Sequence, residues 1–466
     1  MKSVSEIVAS LTASPKGAEG AGGVYFLGIG GIGMSALARY FNASGVAVSG
    51  YDKTETALCR ELAAEGISIH YEDSIELIDK NAKLVIYTPA VPKDHQELNY
   101  FLAHDYTVVK RSDVLGAITD SGFNICVAGT HGKTTTSSMV AHILRHTGYG
   151  CTAFLGGIAV NYNSNFWPGD KNVFVAEADE YDRSFLKLSP DVAVISSMDP
   201  DHLDIYGTAE NMEQAFIDFS EKIKPGGLLI SKYGLKRSAD LKASQHLLYD
   251  VDNAKADINS YNIRIDNGSY VFDINAKDKK LEDVMLNMGG MHNIENATAA
   301  IAVALHLDID EEKIKAAVAA FRGVKRRFEY IIKNAAMVMI DDYAHHPEEL
   351  RALISGTKKL FSGKKCTVVF QPHLFSRTKD HADGFAEVLD TADEVILLPI
   401  YPARELPMEG VNSEMILQRM KNKNSKLLSK EALLIEIENK KPELLVTSGA
   451  GDIDVLVEPI RKILDV

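Results

Sequence analysis

The chain has 466 residues, 46% of them hydrophobic and 24% charged, with a formal net charge of −14. That length is enough for about three domains, and the acidic balance argues against a nucleic-acid backbone as the main partner. No run reaches the roughly 20 apolar residues of a membrane span, and the start Met1-Lys2-Ser3-Val4-Ser5-Glu6 lacks the regions of a signal peptide, so no membrane insertion and a cytoplasmic location are expected.

Apolar strand-like runs alternate with helix-length stretches throughout, the pattern of α/β domains with largely parallel sheets. Three blocks are expected, over residues 1–122, 123–327 and 328–466. The first carries Val24-Tyr25-Phe26-Leu27-Gly28, then Gly28-Ile29-Gly30-Gly31-Ile32-Gly33, with Asp52 after the next strand-like run. This spacing reads as a dinucleotide fingerprint, in which glycines admit a pyrophosphate at a helix N-terminus and an acid takes ribose hydroxyls. NAD and a UDP-sugar satisfy it equally, because both carry a diphosphate on a ribose.

The second block opens with the run Asn124-Ile125-Cys126-Val127-Ala128, followed by Gly129-Thr130-His131-Gly132-Lys133-Thr134-Thr135 and a helix expected to start near Thr135. Glycines free backbone N–H groups for an anion, Lys133 adds a point charge and Thr134 offers a hydroxyl to Mg²⁺. This predicts a nucleoside-triphosphate site in a loop shorter than the usual phosphate-loop signature. Downstream, Glu177, Asp179, Glu180 and Asp182 crowd one short segment, as a cation site requires. His202, flanked by Asp201 and Asp204, is a candidate ligand whose tautomer the carboxylates could set. A helix starting around His292 would carry Asn293 and Asn296 on one face.

The third block contributes Asp342, Tyr343, His345, His346, His373 and Arg377. Arg377 could hold a carboxylate bidentately and His345 could orient an amine or take its proton. The four cysteines, Cys59, Cys126, Cys151 and Cys366, form no C-x-x-C pair and are expected to be reduced structural thiols.

Taken together, the Gly28–Ser35 loop, the Gly129–Thr135 loop, Glu177-Ala178-Asp179-Glu180, Asp201-His202-Leu203-Asp204, Gly290-Met291-His292-Asn293-Ile294-Glu295-Asn296, Arg326-Arg327-Phe328-Glu329, Asp342-Tyr343-Ala344-His345-His346-Pro347 and Gln371-Pro372-His373 resemble the Mur ligase family, in order over essentially the whole chain. The resemblance implies a Rossmann-like N-terminal domain for the UDP-substrate, a central phosphate-loop ATPase domain and a C-terminal Rossmann-like domain for the amino acid and nucleotide. It implies ATP- and Mg²⁺-dependent amide formation through an acyl phosphate in peptidoglycan precursor synthesis, with UDP-N-acetylmuramate and L-alanine as partners and a homodimer left open.

By the same resemblance, Lys133, Glu177, His202, Arg327 and His345 are catalytic. Thr134, Glu177 and His202 would hold metal. Gly129, Thr130, His131, Gly132, Lys133, Thr134, Thr135, His292, Asn293, Asn296, Arg327 and Asp342 would serve ATP. Gly28, Gly30, Gly31, Gly33, Asp52, Arg111, Tyr343, His345, His373 and Arg377 would serve the other substrates. The chain departs from the family pattern at Leu374, where an arginine often follows the Gln-Pro-His histidine, at Ser197-Met198-Asp199 and at Arg111-Ser112-Asp113. Some members use a carbamylated lysine after the metal histidine; no lysine lies between His202 and Lys222, so none is expected here. A ligase that reattaches a recycled tripeptide is the alternative within the class, and an NAD-dependent oxidoreductase or nucleotide-sensing module, outside it, explains only the first block.

Overall fold

The computed structural model describes residues 2–13, 22–277, 279–403 and 405–465. It contains three sheets with helices packed against them, and the strand-like runs at Val24 and Asn124 form the strands Gly23–Leu27 and Phe123–Ala128. These runs are nearly continuous in apolar residues because both faces of a parallel strand are covered.

In the first sheet the strands lie in the order Ser68–His70, Ala47–Tyr51, Gly23–Leu27, Ala82–Tyr87, Val108–Lys110, all parallel. The order reverses between Gly23–Leu27 and Ala82–Tyr87, which opens a crevice beyond their carboxyl ends. The Gly28 loop and the helix Ile32–Ala43 start at that crevice.

The central sheet has ten strands. Val173–Glu177, Phe123–Ala128 and Val192–Ile195 are parallel neighbours whose registers pair Val127 with Glu177 and Ala128 with Ile195. Three chemistry-bearing loops therefore leave the sheet from one edge, side by side. Helix Lys133–His146 begins two residues earlier than expected, directly at the loop lysine. The sequence pattern did not distinguish the antiparallel extension Ile258–Asp266, Ser269–Ala276 and Lys279–Leu286, whose burial follows no single period and whose pairing shifts register.

The third sheet runs Glu329–Lys333, Val338–Asp342, Leu444–Ser448, Cys366–Phe370, Glu394–Leu397, Ser425–Leu427, parallel except at the first strand. Ser448 registers with both Asp342 and Phe370, so the segments following those two strands flank one strand end.

Two apolar cores cross the block boundaries. One joins Met34, Leu37 and Phe41 of the first block to Phe154 and Phe166 of the second, and the other joins second- and third-block residues. Asn165 reinforces the first junction: its Nδ2 donates to Ile32 O at 2.5 Å and to Ser35 Oγ at 2.9 Å, while Arg39 Nη1 donates to its Oδ1 at 2.6 Å. Helix Ile32–Ala43 is thereby seated against strands Thr152–Ala159 and Ser164–Trp167 of the central sheet. All four cysteines are free and buried.

Candidate active site

Gly28 adopts φ +83°, a turn that side chains disfavour. Gly30 N–H donates to Asp52 Oδ2 at 2.8 Å, and a Cβ at Gly30 would lie 2.4 Å from Cys59 Sγ. Asp52 thus closes the loop rather than only waiting at the next strand's end. Gly31 caps helix Ile32–Ala43 without a side-chain bond, so the helix offers unsatisfied N–H groups to an anion. A Cβ at Gly33 would meet the Arg111 guanidinium at 2.9 Å, which places a fixed positive charge at the same helix start. Arg111 faces Asp179 of the central block at 3.8 Å.

A cavity of about 320 Å³ joins this crevice to the central block. Its wall includes Gly31, Gly33, Arg111, Glu177, Asp179 and Tyr181. The cavity therefore runs from the glycine loop toward the carboxylates beside the phosphate loop.

In that second loop Gly129 (φ +132°) and Gly132 (φ +80°) supply the turns. A Cβ at Gly129 would lie 2.2 Å from Ser196 Oγ, and one at Gly132 would lie 2.5 Å from Asn296 Oδ1. Lys133 Nζ donates to Gly129 O at 2.8 Å and pairs with Glu180 Oε2 at 2.7 Å, where the Glu180 side chain is 1% exposed. The lysine is thus folded back and neutralised. Ser197, one of the departures from the family pattern, accepts from His131 N at 2.8 Å and sits 2.9 Å from Thr130 Oγ1. Its hydroxyl holds the outer turn of the loop. The His131 side chain is 73% exposed.

Three side chains, Glu180, Asp201 and His202, bring ligand atoms within 4.8 Å of one another. His202 is left-handed (φ +49°) at the start of the short helix Leu203–Tyr206, which turns its ring toward Glu180 at 3.8 Å. The expected set paired Glu177 with His202. The structure instead brings Glu180 to His202 and holds Glu177 against Gly156 N–H at 3.1 Å, beside Thr134. Burial raises the Glu177 carboxyl above its usual range, against the pull of Lys133 and the Thr134 hydroxyl. Glu177 ends the strand Val173–Glu177 and Glu180 follows three residues later, so the acidic segment offers two separate carboxylate positions. The carboxylate oxygens of this set suit Mg²⁺, whereas the imidazole nitrogen is a donor more usual for softer divalent ions.

Asn293 and Asn296 are both buried and bonded to each other, Nδ2 to Oδ1 at 3.1 Å. Asn296 Oδ1 also accepts from Thr136 at 3.1 Å, and Asn293 Nδ2 donates to Gly289 O at 2.6 Å. Together they brace the phosphate loop from behind, while His292 at the same helix start is exposed. The adjacent arginines differ. Arg326 is tied into the third block by Asp341 at 3.4 Å and lies 5.1 Å from the Tyr343 ring, whereas Arg327 is exposed. The Arg327 charge favours ionised Glu177 on one side and ionised Asp342 on the other.

Asp342 accepts from Phe328 N and Ala344 N, each at 2.7 Å, and burial pushes its carboxyl up to about 6. Each oxygen keeps one lone pair for a hydroxyl. His345 lies 5.2 Å from the Tyr343 ring and 6.2 Å from that of His373. Its Nδ1 donates to Tyr343 O at 3.0 Å, so the neutral ring presents Nε2 as an acceptor. Burial lowers its pKa, against the nearby Glu349. Arg377 Nη1 is 3.2 Å from His373 Nδ1, and burial and the Arg377 charge keep His373 neutral toward lower pH. Leu374, where an arginine is common, is left-handed (φ +70°) and starts the helix that carries Arg377.

Three sequence models match in order: the Mur ligase family catalytic domain over residues 23–122, the Mur ligase middle domain over 127–304, and the Mur ligase glutamate ligase domain over 326–451. The chain is 50% identical over 446 residues to a UDP-N-acetylmuramate--L-alanine ligase of Flavobacterium johnsoniae, covering 95% of this chain and 98% of that one. It is 48% identical over 451 residues to one from Cytophaga hutchinsonii, covering 95% and 97%. Among solved structures, the UDP-N-acetylmuramate-alanine ligase of Thermotoga maritima superposes with a TM-score of 0.79 at 29% identity, over 95% of this chain and 98% of that one. A murein peptide ligase from Psychrobacter arcticus shares the fold, with a TM-score of 0.65 at 23% identity over 95% and 98%.

Proposed function

The chain belongs to the Mur ligase family, and on that premise we propose that it joins L-alanine to the lactyl carboxylate of UDP-N-acetylmuramate, with ATP converted to ADP and phosphate. The reaction belongs to peptidoglycan precursor synthesis in the cytoplasm. The observation that carries this reading is the continuity of one cavity from the glycine loop to Glu177 and Asp179, next to Glu180, which pairs with Lys133 of the phosphate loop. A diphosphate held at Gly31 and Arg111 points the rest of its molecule toward a triphosphate site. An NAD-dependent oxidoreductase has no use for Lys133, Glu180 and His202 in this arrangement.

A carboxylate is a poor acyl donor, so phosphorylation by ATP must precede attack by the amine. Lys133, released from Glu180, neutralises the transferring phosphoryl group, and the N-terminus of helix Lys133–His146 holds the others. Mg²⁺ would be held by Thr134, with Glu177 beside it, on the phosphate side and by Glu180, Asp201 and His202 on the carboxylate side, and would supply the charge neutralisation that brings two anions together. Arg327 adds a positive charge at the junction with the third block. Arg377 binds the alanine carboxylate and neutral His345 takes the ammonium proton at Nε2, leaving a nucleophilic amine.

Incubation with UDP-N-acetylmuramate, ATP and Mg²⁺ plus single amino acids, read by ADP release and product mass, tests the proposal. L-alanine should be the productive partner, and positional isotope exchange in ATP should appear without it. Ligation of the tripeptide in preference to alanine would assign the recycling reaction instead, and tight NAD binding at the Gly28 loop would overturn the ligase reading.

A further inference from the structure

Tyr181 is 42% exposed, yet it stands within the most highly charged part of the cavity wall. Among the described residues the other aromatic side chain on that wall is Phe154, which is buried in the junction between the first two blocks. An exposed phenol ring among Asp179, Asp182 and Glu177 gains little from packing. Its position is nevertheless closely held. Tyr181 N–H donates to Asp179 Oδ1 at 3.0 Å, and the preceding carbonyl, Glu180 O, accepts from Tyr206 Oη at 2.6 Å and from Arg183 N at 2.9 Å.

The two residues after it are both left-handed, Asp182 at φ +52° and Arg183 at φ +54°, a conformation that surrounding structure must impose on residues other than glycine. Lys110 of the first block supplies part of that constraint through an ion pair with Asp182 at 2.6 Å. The His202 ring meets Tyr181 nearly at right angles, with centroids 5.3 Å apart. The phenol is therefore fixed between the anion-binding start of helix Ile32–Ala43 and the Glu180-Asp201-His202 cluster, with ring surface still free.

We propose that Tyr181 binds the pyranose ring of the UDP-sugar, its aromatic face covering the C–H face of the sugar between the anchored diphosphate and the reacting carboxylate. This rests on the UDP-N-acetylmuramate reading above. A sugar linking two charged groups has one apolar face, and a rigid aromatic ring covers it with little loss of side-chain freedom. The contact sets where the lactyl carboxylate stops relative to the phosphate loop.

The test compares Tyr181→Ser and Tyr181→Phe with the parent in the full chain. Tyr181→Ser should raise KM for UDP-N-acetylmuramate about tenfold, equivalent to about 1.4 kcal/mol, while Kd for UDP alone, KM for ATP and the Mg²⁺ activation constant stay unchanged. Tyr181→Phe, which keeps the ring, should stay within about twofold of the parent. An unchanged KM in Tyr181→Ser overturns the contact. Equal loss in both variants assigns the effect to the hydroxyl, and a matching shift in the Mg²⁺ constant assigns it to support of His202; either overturns the stacking role. A parent protein that does not use UDP-N-acetylmuramate at all defeats the functional reading instead, so the two failures are distinguishable.

Discussion

The molecule uses two glycine loops, each between a strand and a helix, and holds them by different means. The Gly28–Gly33 loop is closed by backbone bonding to Asp52 and opens onto an uncapped helix start beside Arg111. The Gly129–Lys133 loop is surrounded by side chains: Ser196 and Ser197 on its outer turn, Asn296 behind Gly132, and Glu180 on the lysine. The first suits a ligand that only has to be anchored. The second has its principal charge already paired, so a triphosphate must compete with Glu180 for Lys133. On the proposed function, exchange of that partner would link nucleotide arrival to a freed Glu180 carboxylate beside His202.

The largest expected effect breaks the second loop alone. Lys133→Ala should lower kcat by about 10³-fold or more, the scale of losing a preorganised charge on a transferring group, with Kd for the UDP-sugar unchanged by calorimetry. Near-normal turnover would remove the phosphate-transfer role.

A smaller effect sharpens which carboxylate serves this loop. His202→Ala and Glu180→Gln should each weaken Mg²⁺ activation by about 10- to 100-fold, and Glu177→Gln should weaken it less because Glu177 stands outside the cluster of Glu180, Asp201 and His202. Titrations of rate against Mg²⁺ decide the order, and a dominant Glu177 effect would restore the pairing expected from sequence.

On the first loop, Gly30→Ala should weaken UDP-sugar binding by about 1–3 kcal/mol, because the added methyl group meets Cys59 Sγ and Asp52. ATP binding measured separately should be retained. If both ligands weakened together, the loops would not be independent anchors.

The mildest effect belongs to the third block. Burial lowers the His345 pKa, so its neutral form persists below the ordinary value near 6.5, and activity should be lost only as pH falls through that depressed value. The acid limb of kcat should therefore lie below pH 6.5. A limb at or above that value would exclude neutral His345 as the proton acceptor.

Much of the fold was legible because its parallel strands are continuous apolar runs ended by loops with distinctive residues. The antiparallel strands between Ile258 and Leu286 were not, since their burial follows no single period and register shifts interrupt their pairing. At the site, residue types and spacing pointed to Lys133, to the acidic segment and to His202, but spacing could not tell Glu177 from Glu180. Ser197 read as a departure from a pattern, although its short side chain and its place after the strand Val192–Ile195, next to the phosphate-loop strand, were the available signals of its contact.

By itself the sequence determined the three α/β blocks and the two loops, because strand burial and glycine turns are encoded within a few neighbouring residues. Tertiary structure decided which carboxylate reaches His202, which of Arg326 and Arg327 stays free, and that Tyr181 stands in the cavity. Those outcomes depend on left-handed turns at Asp182, Arg183 and His202 and on partners such as Lys110 and Asp341. No local periodicity reports a side-chain direction that is imposed by contacts from another part of the chain.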